Sequence, residues 1–197
     1  MTQPSEGAVD ATERQKMLSG ELYRADDPEL VRARRRCRDL LRRIDAEPDD
    51  QVRASLLGEL LGAFGSSSFI QPPFRCDYGS FIRVGERVFV NFDCTILDCG
   101  LVTIGDGVQI ASGVQLLAAD HPREPELRAA GLELGRPVVI EDNVWIGAGA
   151  IVCPGVTVGR DSIVGAGSVV TRDIPAGVVA AGNPCRVVRE LRGERPR

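Results

Sequence analysis

The chain has 197 residues, of which 24 are Lys or Arg and 28 Asp or Glu, for a formal net charge of −4. That balance excludes an overall basic footprint for nucleic acid, and no apolar run approaches the ~20 residues of a membrane-spanning helix. Six cysteines occur singly, without a CxxC pair, and residues Met1 to Asp10 lack the charged-then-apolar pattern of a leader; both point to a reduced, cytoplasmic chain rather than a disulfide scaffold. His121 is the only histidine, so zinc sites needing three histidines from one chain, and the zinc-protease helix motif, are excluded.

The first third reads as helical. Thr12 and Gln15 have capping-box spacing, opening a short helix through Leu18 and Leu22. Asp27-Pro28 is an N-cap followed by a proline at the first helical position. Leu30, Val31, Ala33, Cys37, Leu40, Leu41 and Ile44 then recur at helical spacing. Pro48 separates this from a third helix with Val52, Leu56, Leu57, Leu60 and Leu61 as its stripe, and Gly65 is its expected stop. Ser66 to Ser68 and Pro72-Pro73 mark a connector. Arg32, Arg34, Arg35, Arg36, Arg38, Arg42 and Arg43 on the second helix read as a solvated face or a polyanion-binding one; the negative net charge favours the solvated face.

From about Val84 a different period takes over. Small aliphatics recur every six residues at Val84, Val90, Ile96 and Val102; the register shifts by two and resumes at Ile104, Ile110 and Leu116. After a polar stretch it runs Ile140, Ile146, Val152, Val158, Val164 and Val170, and a small residue often follows the aliphatic (Gly85, Gly105, Ala111, Gly147, Gly159, Gly165). A period of six means one short extended edge and one turn, repeated. Three edges close a coil, and stacked coils bury a column of Ile and Val that one coil leaves exposed. Hairpins with Gly turns tolerate variable loops and do not hold so strict a period. The predicted organisation is a helical region over 1–70, a parallel coil over 71–190 with an excursion at 122–137, and a tail over 191–197.

The repeated [Ile/Val/Leu]-Gly-x-x-x-x pattern resembles the hexapeptide-repeat acyltransferases. The stretches 13–24, 74–79, 91–93, 120–122, 143–147, 164–171 and 181–186 are similar to the maltose and galactoside O-acetyltransferase group. The resemblance implies a mainly β fold, a left-handed parallel β-helix with N-terminal helices, assembled as a homotrimer with intersubunit sites. It also implies acetyl-CoA as cosubstrate, a sugar hydroxyl as acceptor, direct transfer in a ternary complex, and no metal. The spacing alone leaves the hand of the coil open.

His121 closes the hexad that begins at Leu116, where the chain leaves the coil. An imidazole there is suited to removing a hydroxyl proton near neutral pH; the other reading is an exposed, capping histidine. The resemblance carries acceptor contacts onto Asp77, Asn91 and Glu133, with Asn91 serving a neighbouring subunit; Trp145, the only tryptophan, is a candidate to pack against the acceptor or the pantetheine arm. It carries the coenzyme onto Ala148, whose backbone N–H is the candidate oxyanion donor, and onto Ala166, Thr171, Arg172, Arg186 and Arg189. Surface carboxylates, a turn Asn, a coil-covering Trp and a charged terminal cap are the plainer readings of these positions. The chain departs from some relatives at Phe89, Cys99, Ala148, Arg172 and Ala25 (with Asp26 beside it), mostly on the acceptor side. Other readings are a different acceptor, such as an antibiotic or serine hydroxyl, and a non-catalytic scaffold subunit. A carbonic-anhydrase-type hydratase needs three histidines.

Overall fold

The computed structural model describes residues 11–191. Residues 1–10, on which the expectation about a leader falls, and the predicted tail apart from Leu191, lie outside the described residues.

Three helices lead the chain. Helix α1 spans Glu13–Ser19 and opens on the expected capping box: Thr12 accepts from the Gln15 amide, and the Gln15 side chain accepts from the Thr12 amide. It stops at Gly20 in the left-handed region (φ 79°), before Leu22, and its buried residue is Met17. Helix α2 (Pro28–Ala46) is capped by Asp27 and buries Leu30, Cys37, Leu40, Leu41 and Ile44. Helix α3 (Asp50–Leu60) is capped by Asp49 and buries Leu56, Leu57 and Leu60. Val52, expected in its stripe, is instead exposed, and Arg53 turns inward to donate to the Glu47 carbonyl.

The body is a three-faced parallel β-solenoid. Its faces carry five, five and seven strands, and nearly all the strands pair in parallel with those one coil away. One face stacks Ala63–Phe64, Ile82–Val84, Val102–Ile104, Val138–Ile140 and Thr157–Val158. The next runs from Phe69–Ile70 through Phe89–Val90, Gln109–Ile110, Trp145–Ile146 and Ile163–Val164 to Val178–Ala181. The third stacks Phe74–Cys76, Cys94–Leu97, Gln115–Leu117, Ile151–Val152 and Val169–Val170. The period-six anchors fall in register: Val90 beside Ile110, Ile110 beside Ile146, Ile146 beside Val164. These side chains are essentially buried, each contributing ~1.5–3 kcal/mol.

The coil starts earlier than the sequence period suggested. Phe64, Ile70 and Cys76 form a first coil whose partners are Val84, Val90 and Ile96. Gly65 is therefore not a helix stop: a Cβ on it would lie 2.1 Å from the Gly85 carbonyl oxygen, a contact within the stack of coils. The other end also differs. Arg186–Glu190 turns back antiparallel on Val178–Ala181 rather than adding a parallel edge.

The corners explain the small residues. Asp93, Gly113, Gly149 and Gly167 all have positive φ and follow one another at the same corner of successive coils. Gly and Asp adopt that conformation at least cost. Where φ is ordinary, a small residue answers to crowding instead: a Cβ on Gly159 would meet the Ala176 backbone nitrogen at 2.5 Å. Gly159→Ala is expected to lower the denaturant midpoint by an amount equivalent to ~1–3 kcal/mol, measured by urea unfolding followed by circular dichroism.

Candidate active site

The period slips at one corner of the coil, between the third face and the first. At the other corners successive anchors are six apart, but here the step from Cys76 to Val84 is eight, and so is the step from Ile96 to Ile104. At the next coil the chain leaves altogether. The extra residues of the three coils stack into a wall, and Ala25, Arg34, Asp77, Tyr78, Cys99, Ala119 and Glu133 line one cleft there. The sequence placed Asp77 and Glu133 in the site separately; the fold brings them together.

A buried carboxylate builds this wall. Asp98 has no exposed surface. It accepts from the backbone amides of Asp77 (3.1 Å), Tyr78 (2.9 Å) and Phe81 (3.3 Å) of the preceding coil. Burial pushes its pKa up to about 6, outweighing the amides that favour the charged form. Asp77, one residue beyond the Cys76 anchor, accepts from the Cys99 thiol at 3.3 Å, and burial raises its pKa as well. Tyr23 donates its phenolic O–H to Glu133 Oε2 at 2.9 Å, and burial holds that phenol above its ordinary range. Arg34 donates to the Tyr78 hydroxyl (2.6 Å) and to the Ala25 carbonyl. Arg34 thus departs from the solvated helix face expected for the arginine run. Its signal was faint: position 34 falls inside the helix's apolar stripe, between Leu30 and Cys37.

The excursion is a hairpin around a short helix. Ala119–Asp120 pairs antiparallel with Leu132–Gly135, and α4 (Pro125–Ala129) lies between them. Tyr23–Arg24 adds to the hairpin's other edge, so the N-terminal segment holds the excursion in place. Asp120 is opposite Leu134, and His121 follows directly where the strand ends. Asp120 accepts from the His121 amide at 2.8 Å and pairs with Arg123 (3.1 Å) and Arg136 (3.2 Å). This clamp fixes the backbone of His121 and leaves the residue exposed. His121 lines a second cleft beside the hairpin, with Leu22, Pro122, Leu127, Leu134 and Arg136.

The remaining expected site residues divide by place. Thr171 and Arg172 are exposed at the same corner of the prism as Asp77, farther along the stack. Asn91, Ala148 and Ala166 are at the opposite edge of the third face, and Trp145 is on the adjoining face. Trp145 pairs with Gln109 and Ile163 and stands 52% exposed, with Phe92 (46%) and Phe89 (42%) in the same region. Gly147 lets the coil above approach, since a Cβ there would meet the Ala166 nitrogen at 2.5 Å. Arg186 and Arg189 are exposed on the final antiparallel strand, Arg186 beside Ala181. Within one chain these residues do not join His121 in a single cleft. Among the described residues no group of three His, Cys, Asp or Glu is arranged to hold a metal, and no helix is long and apolar enough to cross a membrane.

A capped coil of six-residue edges, interrupted by a hairpin that presents a histidine, is the frame of a hexapeptide-repeat transferase. The family model for the maltose acetyltransferase hexapeptide capping motif matches residues 16–65, and that for bacterial transferase hexapeptide repeats matches 137–172. Nodulation protein L of Rhizobium meliloti (strain 1021) is 49% identical over 178 residues, covering 89% of this chain and 97% of its own. The crystal structure of a maltose O-acetyltransferase from Clostridium difficile 630 superposes with a TM-score of 0.90 at 46% identity, covering 93% of this chain and 99% of that one. A galactoside acetyltransferase in complex with coenzyme A superposes with a TM-score of 0.88 at 40% identity, covering 92% of each chain. The chain belongs to the maltose/galactoside O-acetyltransferase family, and is an acetyltransferase.

Asp98 yields a pH signature. Its folded-state pKa of about 6 exceeds the ~3.9 of an unfolded Asp. Its protonated form therefore favours folding fully below pH ~4, and that contribution is lost as pH rises through about 6. Asp98→Asn is expected to be less stable above pH about 6, because an amide cannot accept from all three backbone donors as the carboxylate does. It should also lack the fall in stability between pH 4 and 6, as read from thermal midpoints across that range.

Proposed function

We propose that the protein transfers the acetyl group of acetyl-CoA to a hydroxyl of a sugar of the maltose or galactoside kind, with His121 as general base. One observation supports the reading: the slips in the six-residue period fall at one corner, where two acidic side chains and an arginine line one cleft, and the excursion that leaves the coil there presents the lone imidazole in the neighbouring cleft. Asp77 and Glu133 are suited to accepting hydrogen bonds from ring hydroxyls. Acceptor identity is the point on which Ala25 and Cys99, standing where some relatives carry acids, set this chain apart.

In the proposed reaction the His121 imidazole takes the acceptor's hydroxyl proton as its oxygen attacks the thioester carbonyl. The tetrahedral oxyanion is stabilised by the backbone N–H of Ala148, in an exposed corner turn. Collapse breaks the C–S bond, and the imidazolium returns the proton to the departing thiolate. No acyl-enzyme is needed. The pantetheine arm runs past Ala148 and Ala166, where the small side chains let it lie close. Thr171, Arg172, Arg186 and Arg189 supply donors and positive charge to the phosphates. The six free cysteines fit a cytoplasmic location.

The division of the site between two edges of the prism supports a homotrimer. His121, Asp77 and Glu133 of one protomer would face Asn91, Trp145, Ala148 and Ala166 of the next, with the exposed aromatics covered at the junction.

His121→Ala is expected to remain folded while acetyl transfer falls ~10²–10⁴-fold, measured by thiol release from acetyl-CoA; near-full turnover would remove His121 from the mechanism. Co-expression of His121→Ala with Asn91→Ala tests the shared site. Each variant alone should be impaired, and randomly mixed trimers should regain about a quarter of wild-type turnover, because some junctions then pair two intact halves.

A further inference from the structure

The thiols of Cys37, on α2, and Cys76, at the end of the strand Phe74–Cys76, are in contact, with Sγ 3.5 Å from Sγ. A disulfide needs ~2.05 Å, so a further approach of about 1.5 Å closes the bond. Cys37 Sγ also lies 3.5 Å from the Cys76 carbonyl oxygen, and Cys37 is fully covered while Cys76 is only half-buried. The other thiols with partners are engaged differently: Cys94 donates to the Ala111 carbonyl and Cys99 to the Asp77 carboxylate.

We propose that Cys37 and Cys76 form a reversible dithiol–disulfide couple that fastens the capping helix α2 to the coil under peroxide oxidation. The sulfur of Cys76, the less covered of the two residues, attacks a peroxide oxygen. An S–O bond forms, the O–O bond breaks, and the Cys76 proton leaves with water, giving a sulfenic acid. The Cys37 sulfur then attacks Cys76 Sγ; the S–S bond forms, the S–O bond breaks, and the departing hydroxide leaves as water with the Cys37 proton. Two thiols are oxidised, one peroxide is reduced, and a cellular thiol restores the pair by exchange.

The bond would join two parts of the candidate cleft. Cys76 directly precedes Asp77, and Cys37 lies one helical turn from Arg34, which holds the Tyr78 hydroxyl. The Cys76 thiol is held above the ordinary range, first by its contact with Cys37, then by burial and by the Asp98 and Asp77 carboxylates. It therefore stays protonated at neutral pH and reacts slowly, so the couple answers to sustained oxidant rather than to traces.

The test treats the intact protein with hydrogen peroxide and maps it without reduction, using a protease that cuts after acidic residues. The expected result is a cross-linked peptide joining Cys37 to Cys76, lost on adding dithiothreitol and absent from both Cys76→Ser and Cys37→Ala. The cross-link closes a long stretch of chain, so the oxidised wild type should melt at a higher temperature than the reduced protein, while oxidised Cys76→Ser should not. Over-oxidised Cys76 without a cross-link, a cross-link to any other cysteine, or a lower melting temperature on oxidation would each overturn the proposal.

Discussion

The structure depends on how closely one coil can lie on the next. Parallel edges pair along their backbones only if nothing larger than hydrogen intrudes where two turns meet. Gly65, Gly147 and Gly159 satisfy that requirement, each having backbone within 2.5 Å of where a Cβ would stand. Once the turns are stacked, the aliphatic at each anchor has nowhere to go but inward. The Ile and Val columns then form the continuous core that no single coil supplies. The backbone hydrogen bonds fix the spacing, and hydrophobic burial makes that spacing stable.

A frame this regular makes its irregularities conspicuous. Two extra residues at a corner cannot be absorbed by a rigid stack, so they protrude. Asp98 shows how the protrusion is organised. Its carboxylate takes up three backbone amides that the interrupted ladder leaves without strand partners, and in doing so it sets Asp77 and Tyr78 in the wall of the cleft. The regular stack and this candidate cleft thus occupy separate places: uniform coils below, and the slipped corner with its hairpin at the side.

Much of this was legible in the sequence, for a physical reason. A strict period leaves a strong trace, and so do caps, which is why the Thr12 and Asp27 helix starts and the anchors from Val84 to Val170 fell where spacing put them. The first coil was missed because Phe64 and Cys76 occupy anchor positions usually held by Ile or Val, and because Ser66 to Ser68 and Pro72-Pro73 look like a linker. The two-residue slip after Ile96 was visible, yet its meaning was not. Only the three-dimensional stack shows that this slip, the one after Cys76 and the polar excursion fall at the same corner. Tyr23, Arg34 and Asp98 escaped notice because their partners are far away in sequence, whereas Asp77 and Glu133 were legible only through resemblance.

The hairpin that carries His121 leaves the coil after Leu117 and rejoins it at Val138, which pairs directly with Val102 of the coil below. The stack therefore closes as though the intervening segment were not there. An insertion that is invisible to the ladder can lengthen, shorten or change its side chains without altering the register of any edge. The architecture in this way separates inheritance of the scaffold from inheritance of the excursion, and lets the second vary at little risk to the first.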